Sequence, residues 1–91
     1  MAIACWEFRG LVQGVGFRWF VRQHARARGI AGWVRNEASG AVQVAARGDA
    51  KALREFLADI RGGPVGARVE EVRELPAEAV GVLPDTFTVI R

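Results

Sequence analysis

Gly10-Leu11-Val12-Gln13-Gly14-Val15-Gly16-Phe17-Arg18-Trp19-Phe20-Val21 decides how this 91-residue chain folds. Three glycines within seven residues exclude a helix or strand interior from Gly10 to Gly16 and call for a loop with unusual backbone angles. Directly after it, Phe17, Phe20, Val21, His24 and Ala25 follow the i, i+3, i+4, i+7, i+8 spacing of one helix face. Arg22, Arg26 and Arg28 lie off that face, and Gly29 closes the helix. Before the loop, Ala2 to Arg9 alternates, with Ala4, Trp6 and Phe8 on one side and Cys5, Glu7 and Arg9 on the other. That is the pattern of a half-buried strand, which Gly10 ends. A strand, a glycine loop and a helix start with Arg18 in the first turn bring together unpaired backbone N–H groups, the positive end of a helix dipole and a forked cation. Such a start is an anion cradle. A cation in a first helical turn is mildly unfavourable by itself, so a bound anion would compensate Arg18. On the residues alone, an ordinary strand-to-helix turn with Arg18 in solvent is the alternative.

Beyond this stretch, Ile30 to Glu37 reads as a second strand around Trp33 and Val34, and Ser39-Gly40 as a tight turn into a third, Ala41 to Arg47. Asp49 is placed to cap a second helix whose Leu53, Phe56, Leu57 and Ile60 form an apolar stripe, stopped by Gly62-Gly63-Pro64. Ala67 to Leu75 is a fourth strand in which Val69 and Val72 break alternation, the mark of a bulge. Pro76 to Pro84 reads as a loop and Thr86 to Ile90 as a short β-branched terminal strand. The order is β-α-β-β-α-β plus a small last strand. It predicts an α+β, ferredoxin-like sandwich with two helices on one face of an antiparallel sheet. In that topology the first two strands run parallel with the third between them, which makes the glycine loop and Val34-Arg35-Asn36 neighbours.

Composition narrows the function classes. Hydrophobic residues are 51% and charged ones 25%, the balance of a globular chain, and residues 1–91 form one domain. No run reaches the roughly 18 apolar residues of a membrane span and the first residues do not resemble a signal peptide, so a cytoplasmic protein with no membrane partner is expected. One Cys and one His cannot supply a Cys/His zinc site, so no metal or other cofactor is expected. Residues 1 to 48 hold seven arginines and two acids (+5), whereas 49 to 91 hold six basic and eight acidic residues (−2). Arginine supplies twelve of the 13 basic residues, which suits planar contacts to phosphate or carboxylate, although GC-rich coding would give the same composition. The loop lacks the third glycine of a dinucleotide fingerprint and any Gly-Lys-Ser/Thr, which argues against a nucleotide.

The run from Gly10 to Val21 resembles, nearly letter for letter, the signature of acylphosphatases, and Gly32-Trp33-Val34-Arg35-Asn36 with Ser39-Gly40-Ala41-Val42 resembles their second motif. Gly48, the Leu53 to Leu57 helix, Gly63-Pro64 and Phe87-Thr88-Val89-Ile90 follow in the family's order. The resemblance implies hydrolysis of the carboxyl-phosphate bond of small acyl phosphates to carboxylate and inorganic phosphate, without a metal; a monomer is expected. Carried over residue by residue, it implies that Gln13, Gly14, Val15, Gly16, Phe17 and Arg18 hold the phosphoryl group, chiefly through the N–H groups of Val15 to Arg18. Arg18 would bind its oxygens and Asn36 would orient the attacking water. Ser39 and Gln43 replace the family's more common Asp and Glu, at turn and surface positions. Phosphoryl transfer needs positioning and charge neutralisation more than covalent help, and no side chain in the motifs is an obvious general base, which leaves the phosphate's own oxygen to take the water's proton.

Other residues are assigned bland roles. His24 lies six residues beyond Arg18, about 9 Å along the helix, on the packing face. Glu7 and Glu37 read as solvated and Cys5 as a packed strand residue. Trp19 and Trp33 are each open between lining the entrance for an acyl group and packing in the core. Two alternatives to the enzyme are carried. One is a non-catalytic or regulatory acylphosphatase-like domain of the kind found at the front of larger maturation proteins. The other is an RNA-binding ferredoxin-like module, disfavoured because its aromatics would need to face outward from a strand, whereas Phe17, Phe20 and Val21 have helical spacing. No nucleic-acid partner is therefore expected.

Overall fold

The computed structural model describes residues 1–91, the side chain of Ala79 excepted. Five strands and two helices follow the expected order: β1 (Ala2–Leu11), α1 (Phe17–Ala27), β2 (Ala31–Asn36), β3 (Val42–Gly48), α2 (Ala50–Ile60), β4 (Arg68–Leu75) and β5 (Phe87–Ile90), with a short 3-10 helix (Ala77–Val80) before β5. The sheet order is β4-β1-β3-β2-β5. Strand β3 pairs antiparallel with both β1 and β2, which therefore run parallel, and β5 joins the far edge parallel to β2. The sheet is consequently mixed rather than wholly antiparallel.

Alternation explains the main core. Trp6 and Phe8 of β1, Val42, Val44 and Ala46 of β3, and Val34 of β2 meet Phe17, Val21 and Ala25 of α1 and Leu53, Phe56 and Ile60 of α2. Phe17 and Phe8 rings lie 5.3 Å apart, so the first residue of α1 is anchored against β1 and fixes where that helix begins. Helix α1 ends as Gly29 would have it: Ile30 N–H donates to the Ala25 carbonyl and Gly29 N–H to that of Arg26, the paired closure of a left-handed C-terminal glycine.

Four expectations are corrected. Strand β1 does not end at Gly10 but continues to Leu11, because the register against β4 shifts between Arg9 and Gly10. Arg9 faces Glu71 and Gly10 faces Val69, leaving Glu70 as the extra residue of the bulge that Val69 and Val72 signalled. Gly10 fits there because a Cβ would sit 2.2 Å from the Arg68 carbonyl oxygen. Asp49 occupies the N-cap of α2 with extended backbone, but its side chain makes no cap hydrogen bond. His24 is on the packing side only in part: its ring contacts Phe20 edge-on at 4.6 Å while its side chain stays 38% exposed.

The fourth correction concerns the stretch read as a plain loop, Pro76 to Pro84. It carries the 3-10 helix and delivers Leu83 to the sheet's other face, where Cys5, Trp33 and Ala45 are buried with it. Both faces of the central strands are thus covered. Trp33 belongs to this second cluster, with the Arg35 guanidinium 4.4 Å from its ring centroid. Burial pushes the Cys5 thiol above its ordinary range, opposed by the Gln43 amide that donates to Sγ at 3.6 Å. No helix among the described residues is long and apolar enough to cross a membrane.

Candidate active site

The glycine loop turns on left-handed backbone: Gly14 has φ 77° and Gly16 φ 76°. A Cβ at either would touch nothing within 4 Å, so glycine is needed for the backbone angle rather than for space. Gly16 is also the N-cap of α1, which therefore starts without a side-chain cap and without an acid in its first turn. The carbonyl of Gly16 accepts the first helical bond, from Phe20 N–H at 3.0 Å. Among the described residues, no backbone N–H from Gln13 to Trp19 donates to a backbone carbonyl. A helix N-terminus whose capping is left to something other than the protein is an anion site in waiting.

Residues from three elements close on it. A cavity of about 200 Å³ is lined by Gly14, Gly16, Phe17 and Arg18, by Asn36 at the end of β2, and by Val89 of β5, with Val12, Trp19, Arg22 and Arg91 around them. This is smaller than the range typical of drug-sized ligands and suits a small anion. Glycine loop and Asn36 are neighbours as the topology required. Arg18 donates through Nη1 to the Ile90 carbonyl at 3.3 Å and makes no ion pair, so its remaining N–H groups are free of protein partners among the described residues. The Oδ1 of Asn36 is buried without a hydrogen-bond partner. An unsatisfied buried acceptor costs about 1–3 kcal/mol and calls for a ligand or water to account for it. No Asp or Glu side chain is among the lining residues.

Gln13 has another task. Its Nε2 donates to the carbonyls of Glu37 at 2.8 Å and Ala41 at 2.9 Å, tying the loop to the β2–β3 hairpin. Neither Gln13 nor Val15 lines the cavity; any contact of theirs with an anion would be through the backbone. The two open tryptophans now separate: Trp19, 57% exposed, lines the cavity, whereas Trp33 is in the second core cluster on the sheet. Arg22, Val89 and Arg91 are among the cavity residues that escaped the sequence reading. Arg22 is one turn beyond Arg18, and its i+4 spacing was the available signal. Arg91 and Val89 are brought in by β5, whose pairing with β2 no periodicity reveals.

Comparison with known proteins gives this geometry its relatives. The acylphosphatase family model matches residues 5–89. An acylphosphatase of Synechococcus sp. is 51% identical over 69 residues, 74% of this chain and 59% of that protein. One of Koribacter versatilis is 49% identical over 63 residues, 69% of this chain and 57% of that protein, so the chain spans less than two thirds of either relative. Among solved structures, the acylphosphatase from Bacillus subtilis superposes with a TM-score of 0.90 at 31% identity, covering 100% of both chains. HypF of T. kodakarensis matches all of this chain with a TM-score of 0.81 at 26% identity, over 12% of its own length. A signature loop, a second motif and a matching fold lead to one conclusion: the chain belongs to the acylphosphatase family.

Proposed function

We propose that this protein is an enzyme that hydrolyses small acyl phosphates to a carboxylate and inorganic phosphate without a metal. The observation that supports this best is the meeting, in one small cavity, of the uncapped N-terminus of α1, the unpaired donors of Arg18 and the unpartnered amide of Asn36. In this reading the phosphoryl oxygens lie on the N–H groups of the loop and first turn, and the Arg18 fork bridges two of them. Asn36 holds water on the face opposite the acyl oxygen. Water attacks phosphorus, the bond from phosphorus to the acyl oxygen breaks, and its electron pair leaves on the carboxylate: RCO₂PO₃²⁻ + H₂O gives RCO₂⁻ + H₂PO₄⁻. The water's proton passes to a phosphoryl oxygen, since no Asp, Glu or His side chain lines the cavity. Charge neutralisation by preorganised donors then supplies most of the acceleration.

A purified sample given benzoyl phosphate should release benzoate and phosphate at equal rates with and without chelator. Loss of turnover on chelation, restored by a divalent ion, would overturn the metal-free mechanism. The second reading, a domain that serves within a larger protein, is favoured by the likeness to 12% of HypF; it predicts a folded, phosphate-binding protein that leaves benzoyl phosphate intact.

A further inference from the structure

The cavity holds more positive charge than one phosphoryl group requires. Arg18, Arg22 and Arg26 recur every fourth residue on one stripe of α1. The outer two are engaged: Arg18 donates to the Ile90 carbonyl, and Arg26 to that of Phe87 through Nε at 3.3 Å and Nη2 at 3.1 Å. Arg22, between them and only half-buried, has no hydrogen bond or ion pair among the described residues. Like charges at this spacing repel, and no Asp or Glu side chain lines the cavity to offset them. A second depression of about 400 Å³, lined by Trp19, Arg22, Gln23 and Arg26, shares Trp19 and Arg22 with the first, so the two adjoin at these side chains.

We infer that Arg22, with the exposed face of Trp19, forms an acyl-side subsite that favours acyl phosphates bearing a second anion, a carboxylate or phosphate, on the acyl chain. The inference rests on the hydrolytic reading of the same cavity. The loop N–H groups and Arg18 already meet the phosphoryl charge. Arg22 lies one turn further, about 6 Å along the axis, the reach of an acyl chain of three or four carbons. Trp19 offers that chain a flat apolar surface beside the charge.

Binding of two matched non-hydrolysable anions tests this: propylphosphonate, and 4-phosphonobutyrate, which adds a terminal carboxylate. The wild-type protein should bind 4-phosphonobutyrate about fivefold to tenfold more tightly. Arg22→Gln should bring that ratio close to one, and Arg22→Lys should retain part of it, which separates charge from folding. An unchanged ratio in Arg22→Gln, an equal loss for both anions, or no wild-type preference would each overturn the subsite. Because the readout is binding, failure of benzoyl phosphate hydrolysis would strike the catalytic reading while leaving this result to stand or fall by itself.

Discussion

Helices α1 and α2 are each eleven residues long and lie against the same sheet face, yet their first turns are built for different ends. Helix α2 follows Asp49, in extended backbone, and its outer residues mix Lys51 and Arg54 with Glu55 and Asp59. Glu55 and Asp59 accept from Arg28 at 3.0 and 2.6 Å, fastening the two helices together. Neither helix has an acid in its first turn or a side-chain cap hydrogen bond, but α1 follows a left-handed glycine and carries a cationic stripe toward a cavity. The comparison teaches that an amphipathic face specifies packing in both cases, while function is written into what precedes the helix and into the side that packing leaves free.

Predictions follow that contrast in order of size. Arg18→Ala should cost on the order of 10³-fold in kcat/KM toward benzoyl phosphate, and Arg18→Lys should recover little, because a point charge cannot replace the fork. Asn36→Ala should lower kcat by roughly 10²–10³-fold while inhibition by phosphate stays nearly constant, since its role is to place water. If Asn36→Ala loses phosphate as badly as Arg18→Ala while remaining folded, the water-placing role is wrong.

Gly16→Ala puts a Cβ on left-handed backbone and should destabilise the protein by about 1–2 kcal/mol in urea unfolding, with weaker phosphate binding. The matching change at the other helix, Asp49→Ala, should cost under about 0.5 kcal/mol, because no cap hydrogen bond exists to lose. Equal losses at the two sites would erase the contrast. Turnover should be nearly flat between about pH 6 and 8, because no Asp, Glu or His side chain lines the cavity to act as a titrating base. A step in turnover within that range that vanishes in His24→Ala would bring His24 into the chemistry.

The smallest effect belongs to the helix fastening. The Arg28 guanidinium holds the Asp59 carboxyl below the usual carboxylate range, with His24 adding a minor share. A depressed carboxyl stabilises the fold above its unfolded pKa and loses that contribution as pH falls through the folded value. Asp59→Asn should therefore cost a few tenths of a kcal/mol near pH 7, and the difference from wild type should shrink below about pH 4. A gap that widens in acid would contradict the assignment.

Much of this was legible from the residues. Alternation in Trp6 and Phe8 and in Val42, Val44 and Ala46 marks one buried sheet face, the i, i+3, i+4 stripes mark both helices, and the glycines mark the loop. The second buried face was legible only at Cys5, read as a packed strand residue, because Ala45 and Leu83 carry no apolar alternation and their burial depends on a non-regular segment folding back. Nor was the share of the cavity contributed by β5, since strand periodicity says which side is buried and not which neighbour is chosen. Arg22 was visible as an arginine off the packing face, but its facing the cavity follows only from where Asn36 and β5 end.

The central claim is that of two helix N-termini on one sheet, only that of α1 is an anion site. Titrating the ¹⁵N-labelled protein with inorganic phosphate tests it most directly. The account predicts saturable shifts of the amides from Val15 to Trp19 together with the Asn36 side chain, while Ala50 to Ala52 at the start of α2 stay still and Arg18→Ala abolishes the response. Comparable, non-saturating shifts at both helix starts, or saturation that survives Arg18→Ala unchanged, would contradict it.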